Sequence, residues 1–217
     1  MSASPSPLRA ASPLWDAVGF LLGLALAIAL SWQPRDLIWS LWLSSLVLGY
    51  ATIVLGITGA VRRSATGGLA TAGSGVLGLF LLAFFTVHFG GFHAVHAVFL
   101  CVFFPLHPAA HGAFPLTWET LGTVVASYWP WLLSAAIAER AALLQAWRSE
   151  GGDAKTGGLA GFNPMGPYRN VIRMHLLIFF FAGAHFAGLG GAWVLAVVFA
   201  VYFFPWRLLK TAPPEPS

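Results

Sequence analysis

The stretch FLLAFFTVHFGGFHAVHAVFLCVFF, residues 80–104, contains no aspartate, glutamate, lysine or arginine. An α-helix needs about 20 apolar residues to cross the roughly 30 Å hydrocarbon layer of a membrane, and this stretch is long enough. A strand of a transmembrane β-barrel would instead alternate apolar and polar residues over about ten positions. The stretch therefore predicts a membrane-spanning helix over about 76–104, with three histidines inside it.

The composition of the whole chain agrees with this interpretation. The 217 residues are 58% hydrophobic and only 8% charged, whereas soluble domains carry roughly 25% charged residues. We predict an all-α, polytopic membrane protein that is surrounded by membrane lipid. Its net charge of +4 does not indicate a nucleic-acid partner. Cys101 is the single cysteine, which excludes an intrachain disulfide and a cysteine-based zinc site.

The hydropathy pattern predicts six transmembrane helices within one domain over 14–210, between flexible tails at 1–13 and 211–217. A glycine-rich loop, SATGGLATAGSG at 64–75, follows the second helix, and Pro130 predicts a kink in the fourth. We expect the third, fourth and fifth helices to form the functional core and the others to shield it from lipid. The predicted spans are 14–32, 37–60, 76–104, 118–148, 168–187 and 189–209.

Basic residues predict the orientation of these helices. An even number of spans puts both termini on one side, and the loops on the opposite side contain only Arg35 among the basic residues. By the positive-inside rule both termini are cytoplasmic, which in a bacterium means the inner membrane. The basic residues on the terminal side are Arg9, Arg62, Arg63, Arg148, Lys155, Arg207 and Lys210.

Ionisable residues inside the predicted spans are the candidates for function, because each costs about 2.5–3.5 kcal/mol at mid-bilayer. At about 1.5 Å of helical rise per residue, His88, Glu139 and His175 fall within roughly 10 Å of the midplane on its cytoplasmic side. His96 falls on the other side but shares a broad face with His88. Gly90 and Gly91 leave room beside the histidines for a close helix or a ligand. The full set is His88, His93, His96, Glu139, Arg140, Arg169, Arg173, His175 and His185.

Three segments resemble a bacterial family of small integral membrane proteins, domain of unknown function 6498: FFTVHFGGFHAVHAVF, WPWLLSAAIAER and NPMGPYRNVIRMHLLIFFFAG. The resemblance covers roughly 80–210 and rests on the order and spacing of residues. His88, Gly90 and His96 match one motif, and His175 follows a match to a second. Where the family has a second-span histidine, this chain has Glu139, another common metal ligand. The second motif, which His175 follows, is matched by Pro167, Tyr168 and Arg169. The family implies no particular activity.

We predict a transition-metal site made from His88, His96, Glu139 and His175, because imidazole and carboxylate groups bind such ions. Zinc is favoured, and with an open coordination position it would support hydrolysis of a membrane substrate. Arg140 or Arg173 is a candidate charge partner for Glu139 or for an anionic substrate. His93 and His185 are expected to be structural or lipid-facing, and Asp16 is expected to interact with the dipole of its own helix.

Three alternatives remain open at this point. Intramembrane histidine and glutamate residues also line metal-ion and proton transport pathways, and a homodimer would supply the second half that such a small carrier lacks. Two layers of histidines, His88 with His175 and His96 with His185, would suit an electron carrier with bis-histidine b-type haem. A purely structural network of hydrogen bonds between helices would require no ligand.

Overall fold

The computed structural model describes residues 12–64, 68–107, 115–148, 165–189 and 192–205, and these ranges are helical with no strand. The all-α prediction is therefore confirmed. The predicted tails lie outside the described residues, apart from Ser12 and Pro13, with which the first helix begins. The helices are α1 (Ser12–Ala29), α2 (Pro34–Ser64), α3 (Gly68–Phe103), α4 (Trp118–Arg148), α5 (Met165–Phe186) and α6 (Ala192–Val198), which continues as a π-helical segment, Phe199–Phe203.

α3 begins earlier than predicted. The loop predicted over 64–75 is wrong from Gly68 onward, because α3 begins there and runs unbroken to Phe103. Gly73 and Gly75 have open space around them, so no packed neighbour interrupts the helix. Helical hydrogen bonding also satisfies every backbone group in an apolar solvent, which favours extending a helix. α4 has the predicted bounds, with Pro130 inside it.

The central element is α2, which packs against α3, α4 and α5. α1 packs against α4. Four consecutive residues at the start of α2, Leu37, Ile38, Trp39 and Ser40, are almost wholly buried. This end of α2 therefore lies in the interior of the protein, and the stretch Pro34–Arg62 is the most buried of the three long apolar helices. The sequence placed the second helix outside the core, whereas the structure places it between α3, α4 and α5. α3 packs chiefly against α2, and α4 packs against α2 and α1.

Two indole groups of α2 connect it to α3 and to the residue that follows α3. Trp39 Nε1 donates a hydrogen bond to the Phe104 carbonyl at 2.9 Å, and Trp42 Nε1 donates to the His93 carbonyl at 3.0 Å. Both groups are buried, so each bond satisfies an indole N–H that would otherwise lack a partner. These bonds fix the histidine-bearing half of α3 against the central helix.

Small residues permit close packing between the helices. A Cβ added at Gly49 of α2 would lie 2.7 Å from Phe89 Cζ of α3, and one added at Gly78 would collide with Val61. Small residues at helix interfaces are the usual means by which membrane helices approach closely. Gly90 and Gly91, in contrast, have no atom within 4 Å of an added Cβ. They therefore leave open space instead of permitting a close helix contact.

Left-handed residues terminate α1 and α5. Ser31 has φ 51° and Gly188 has φ 67°. In each case the next amide reaches back to a carbonyl five residues earlier, Trp32 to Ala27 at 2.9 Å and Leu189 to Ala184 at 2.8 Å. This arrangement satisfies carbonyls that a helix end leaves without partners. It stops both helices cleanly and lets the chain turn into the next helix.

Three helices are long and apolar enough to cross a membrane, over Pro34–Arg62, Thr71–Phe103 and Trp118–Leu144. Three further apolar stretches are shorter, over Leu14–Ala29, His175–Ala184 and Trp193–Phe203. α3 exposes much of its apolar surface, which is expected of a helix that contacts lipid. The exposed side chains of α3 include Val76, Leu79, Phe80, Val87, Val95, Phe99 and Val102.

Candidate functional site: a histidine pair between α3 and α5

His96 is held in one orientation by its own helix. Its Nδ1 lies 2.6 Å from the carbonyl oxygen of Phe92, one turn earlier on α3. A carbonyl only accepts hydrogen bonds, so Nδ1 carries the proton and the neutral ring presents a lone pair at Nε2. A metal-binding histidine is oriented in the same way, with its other ring nitrogen donating to a carbonyl or carboxylate.

His175 of α5 meets this lone pair. Its Nε2 is in direct contact with Nε2 of His96, and the two rings stand edge to face, with centroids 4.1 Å apart and planes at 87°. His96 is buried and His175 is half-buried. The contact links two helices that are distant in sequence, and it brings together two of the four predicted metal ligands.

Phe92 covers the pair. Its ring centroid lies 4.5 Å from that of His96 and 5.6 Å from that of His175. The same residue therefore anchors His96 through its carbonyl and contacts both imidazoles through its side chain. Phe92 is not among the residues predicted for the site. The signal available was its position four residues before His96, where its carbonyl meets the ring nitrogen of a helical histidine.

The arrangement of the two rings allows two kinds of chemistry. If His175 carries its proton on Nε2, it donates a hydrogen bond to His96. If its proton is on Nδ1, two lone pairs converge on one point, and a shared cation is required between them. The first arrangement joins two helices and the second binds an ion.

His93, three residues before His96, is a core residue. It is almost wholly buried, its Nδ1 lies 2.9 Å from the Phe89 carbonyl, and its Nε2 lies 3.2 Å from Ser45 Oγ of α2. The Nδ1 proton is therefore fixed as in His96, and the Ser45 hydroxyl donates to Nε2. Both ring nitrogens have protein partners, which makes this residue part of the α2–α3 interface.

His88 lies elsewhere on α3. Its ring is exposed and stacks on Phe84, with centroids 5.4 Å apart and planes at 8°. The depth estimate placed His175 level with His88, whereas the structure pairs His175 with His96, two turns or about 12 Å further along α3. The estimate assumed that all spans share one midplane. Depth along each span therefore did not report which residue of α3 lies beside His175.

Glu139 is half-buried on α4, and among the described residues it does not join the pair in a group able to hold a metal ion. The neighbouring Arg140 donates to Asp16 of α1 at 2.8 Å and to the Ile137 carbonyl at 2.7 Å. Asp16 therefore forms an ion pair between helices, a role that the dipole interpretation missed. The side chain of Arg173, the other predicted charge partner, lies outside the described part of the chain, as does that of His185.

Within the described residues, no group of three histidine, cysteine, aspartate or glutamate side chains is arranged to hold a metal ion. His88 and Glu139 thus do not complete a four-ligand site with the pair. α3 and α4 both make their main contacts with α2. Metal binding itself stays a prediction, now centred on His96 and His175.

These features define an all-helical protein with three helices able to cross a membrane and a histidine pair between α3 and α5. The chain belongs to a family of unknown function, DUF6498, whose model matches residues 8–204. The match includes the four predicted ligands and confirms the resemblance, which it extends to the first two helices. No curated protein and no solved structure matches the chain.

Proposed function

We propose that the protein binds a transition-metal ion within the membrane and that His96 and His175 are the protein ligands. The contact between the two Nε2 atoms carries this proposal, because it brings two lone-pair donors from separate helices to one point. The anchored Nδ1 of His96 supports it, since a fixed ring loses little freedom on binding an ion. Imidazole nitrogen suits zinc, copper, iron and nickel.

The same proposal includes the arrangement of the chain in the membrane. Three helices of sufficient length and three shorter apolar stretches amount to six spans. Both termini are then cytoplasmic, and the protein lies in a bacterial inner membrane. The support is the charge distribution of the loops. If the bound ion keeps an open position for water, hydrolysis of a membrane substrate is the chemistry that it would supply.

Metal analysis of the full chain tests this function. Protein purified in detergent without chelators is expected to contain a single transition-metal ion per chain, or to take one up on titration. His96→Ala and His175→Ala should each abolish binding, because neither imidazole alone holds an ion firmly. His88→Ala is the matched control on α3 and should keep the metal, since its ring stacks on Phe84.

Three outcomes would redirect the proposal. Loss of metal in His88→Ala as well would restore the original four-ligand set. Absence of metal from the unmutated protein, both as purified and after titration, would overturn the function and leave a hydrogen bond between the imidazoles. A haem absorption band in the purified protein would instead favour the electron carrier.

A further inference from the structure

We infer that a water molecule binds between α4 and the π-helical segment, and that the indole N–H of Trp131 donates a hydrogen bond to it. This site is separate from the histidine pair, so the proposed function does not depend on it. The observation that points to the site is an orphaned donor. Trp131 is only 3% exposed, and no oxygen or nitrogen atom of the described residues accepts a hydrogen bond from its Nε1.

An indole N–H without a partner in the interior is costly, because folding removes the group from water and gives it no other acceptor. Trp39 and Trp42 avoid this cost, since they donate to the carbonyls of Phe104 and His93. Buried polar groups that lack a protein partner are commonly bound to ordered water. Trp131 therefore differs from these two indoles in requiring an acceptor from outside the chain.

The packing of the indole shows the direction of its N–H. A Cβ added at Gly23 of α1 would lie 2.9 Å from Trp131 Cζ3. Nε1 is at the opposite end of the indole from Cζ3, so the N–H is directed away from this contact. The rings of Phe199 and Phe203 stand edge to face with the indole, with centroids 6.2 and 5.7 Å from it. The π-helical segment that contains both phenylalanines is therefore a direct neighbour of the donor.

The end of the π-helical segment supplies further partners for a water. A water in a protein interior makes about three hydrogen bonds, and every helix leaves its last carbonyls without donors of its own. The chain leaves the helix at Phe204, whose ψ is 131°, and Pro205 has no N–H to offer a carbonyl of the last turn. A water that accepts from Trp131 and donates to this turn satisfies both elements. π-Helical turns often occur at functional sites.

Space decides between water and a larger ligand. Trp32 also packs on the Trp131 indole, with centroids 5.4 Å apart. This distance and those to the two phenylalanines are typical of aromatic rings in direct contact. A ring-sized ligand therefore does not fit between them and the indole. A water molecule occupies only about 30 Å³ in the liquid, and it needs contact with one edge of the indole alone.

NMR of the full chain in detergent, with ¹⁵N in the tryptophan side chains, tests this inference. The Trp131 indole signal is assigned by its loss in Trp131→Phe, or by its displacement in Gly23→Ala if the first variant fails to fold. We expect a nuclear Overhauser cross-peak to water with the sign of a long-lived contact, and an indole proton shifted downfield by the hydrogen bond. The indoles of Trp39 and Trp42 are the internal controls. They should show no such cross-peak, because carbonyls already accept from them.

The main alternative is a contact between the N–H and the face of an aromatic ring. The Trp131 indole proton would then be shifted upfield, and Phe203→Leu would move it downfield. That result, without a cross-peak to water, overturns the inference. If water is bound, Phe203→Leu leaves the cross-peak in place. A cross-peak to detergent or lipid protons instead of water also overturns the inference, because it identifies an apolar molecule at the site.

Discussion

At the residue scale, His93 and His96 of α3 make the same hydrogen bond to their own helix but meet different partners. His93 and His96 both place Nδ1 against the carbonyl four residues earlier, at 2.9 and 2.6 Å. Both rings therefore present Nε2 as an acceptor. His93 meets the hydroxyl of Ser45, which satisfies it fully, whereas His96 meets another imidazole. The identity of this partner, and not the burial of the histidine, distinguishes a structural residue from a candidate ligand.

Replacing Ser45 with alanine tests the structural assignment of His93. The change leaves a buried ring nitrogen without its donor, so the free energy of unfolding should fall by about 0.6 kcal/mol, and at most about 1.7, the range for hydrogen bonds between membrane helices. Ser44→Ala is the matched control, because Ser44 donates to the Leu41 carbonyl of its own helix at 3.0 Å. Unfolding in mixed detergent measures both. Equal losses in the two variants would contradict an α2–α3 bond through Ser45.

The sequence predicted part of this site. His96 and His175 are two of the four predicted ligands, and they were found because ionisable groups in apolar spans are costly. Their pairing with each other was not predicted, since depth was estimated from each span alone and does not report which residue of a neighbouring helix each histidine meets. Glu139 shows the same limit. Its depth was estimated from its position along α4. Which helix α4 packs against depends on side-chain shape along α2, and the periodicity of the sequence does not reveal that choice.

At the scale of the elements, the α1–α4 interface depends on two glycines of α1 spaced four residues apart. Gly19 accepts a hydrogen bond from Ser134 Oγ at 2.7 Å, and a Cβ added at Gly23 would lie 2.9 Å from both Ser134 Oγ and Trp131 Cζ3. Trp131 is itself almost wholly buried. The two glycines therefore let the backbone of α1 lie directly on α4, in the manner of small-residue motifs in membrane helices.

Gly23→Ala should destabilise the protein by about 1–3 kcal/mol, because the added methyl group meets a buried indole that has little room to move. Gly122→Ala in α4 is the control with the opposite sign: nothing lies within 4 Å of its added Cβ, and alanine is the better helix former by roughly 0.5–1 kcal/mol. Unfolding of both variants in mixed detergent gives the comparison. A neutral Gly23→Ala would mean that α1 does not pack this closely on α4.

The helices themselves were largely predictable, but their arrangement was not. The spans at 118–148 and 168–187 agree closely with α4 and α5, because apolar runs bounded by loop residues report helix length directly. The central position of α2 was missed. Its buried Ser40, Ser44 and Ser45 were the available signal, since small polar residues in an apolar helix indicate contact with other helices and not with lipid.

At the scale of the whole molecule, membrane crossing depends on the shorter helices. The apolar stretch Leu14–Ala29 extends about 24 Å at 1.5 Å per residue, close to the thickness of the hydrocarbon layer. α5 runs from Met165 to Phe186, about 33 Å at 1.5 Å per residue, and His175–Ala184 is the apolar stretch among its described side chains. In this chain α5 packs on α2, so the earlier residues of α5 can continue through the membrane beside protein instead of lipid.

Six spans predict which positions face outward. Cysteines introduced singly at Gln33, His107 and Ala187, all exposed, should react with a membrane-impermeant maleimide added to intact cells, in a Cys101→Ser background. Cysteines added at either end of the chain should react only after the cells are opened, because six crossings return the chain to its starting side. Labelling of the position at Ala187 only in opened cells would show that α5 turns back within the membrane. Termini that label on opposite sides would require an odd number of crossings and would overturn the six-span arrangement.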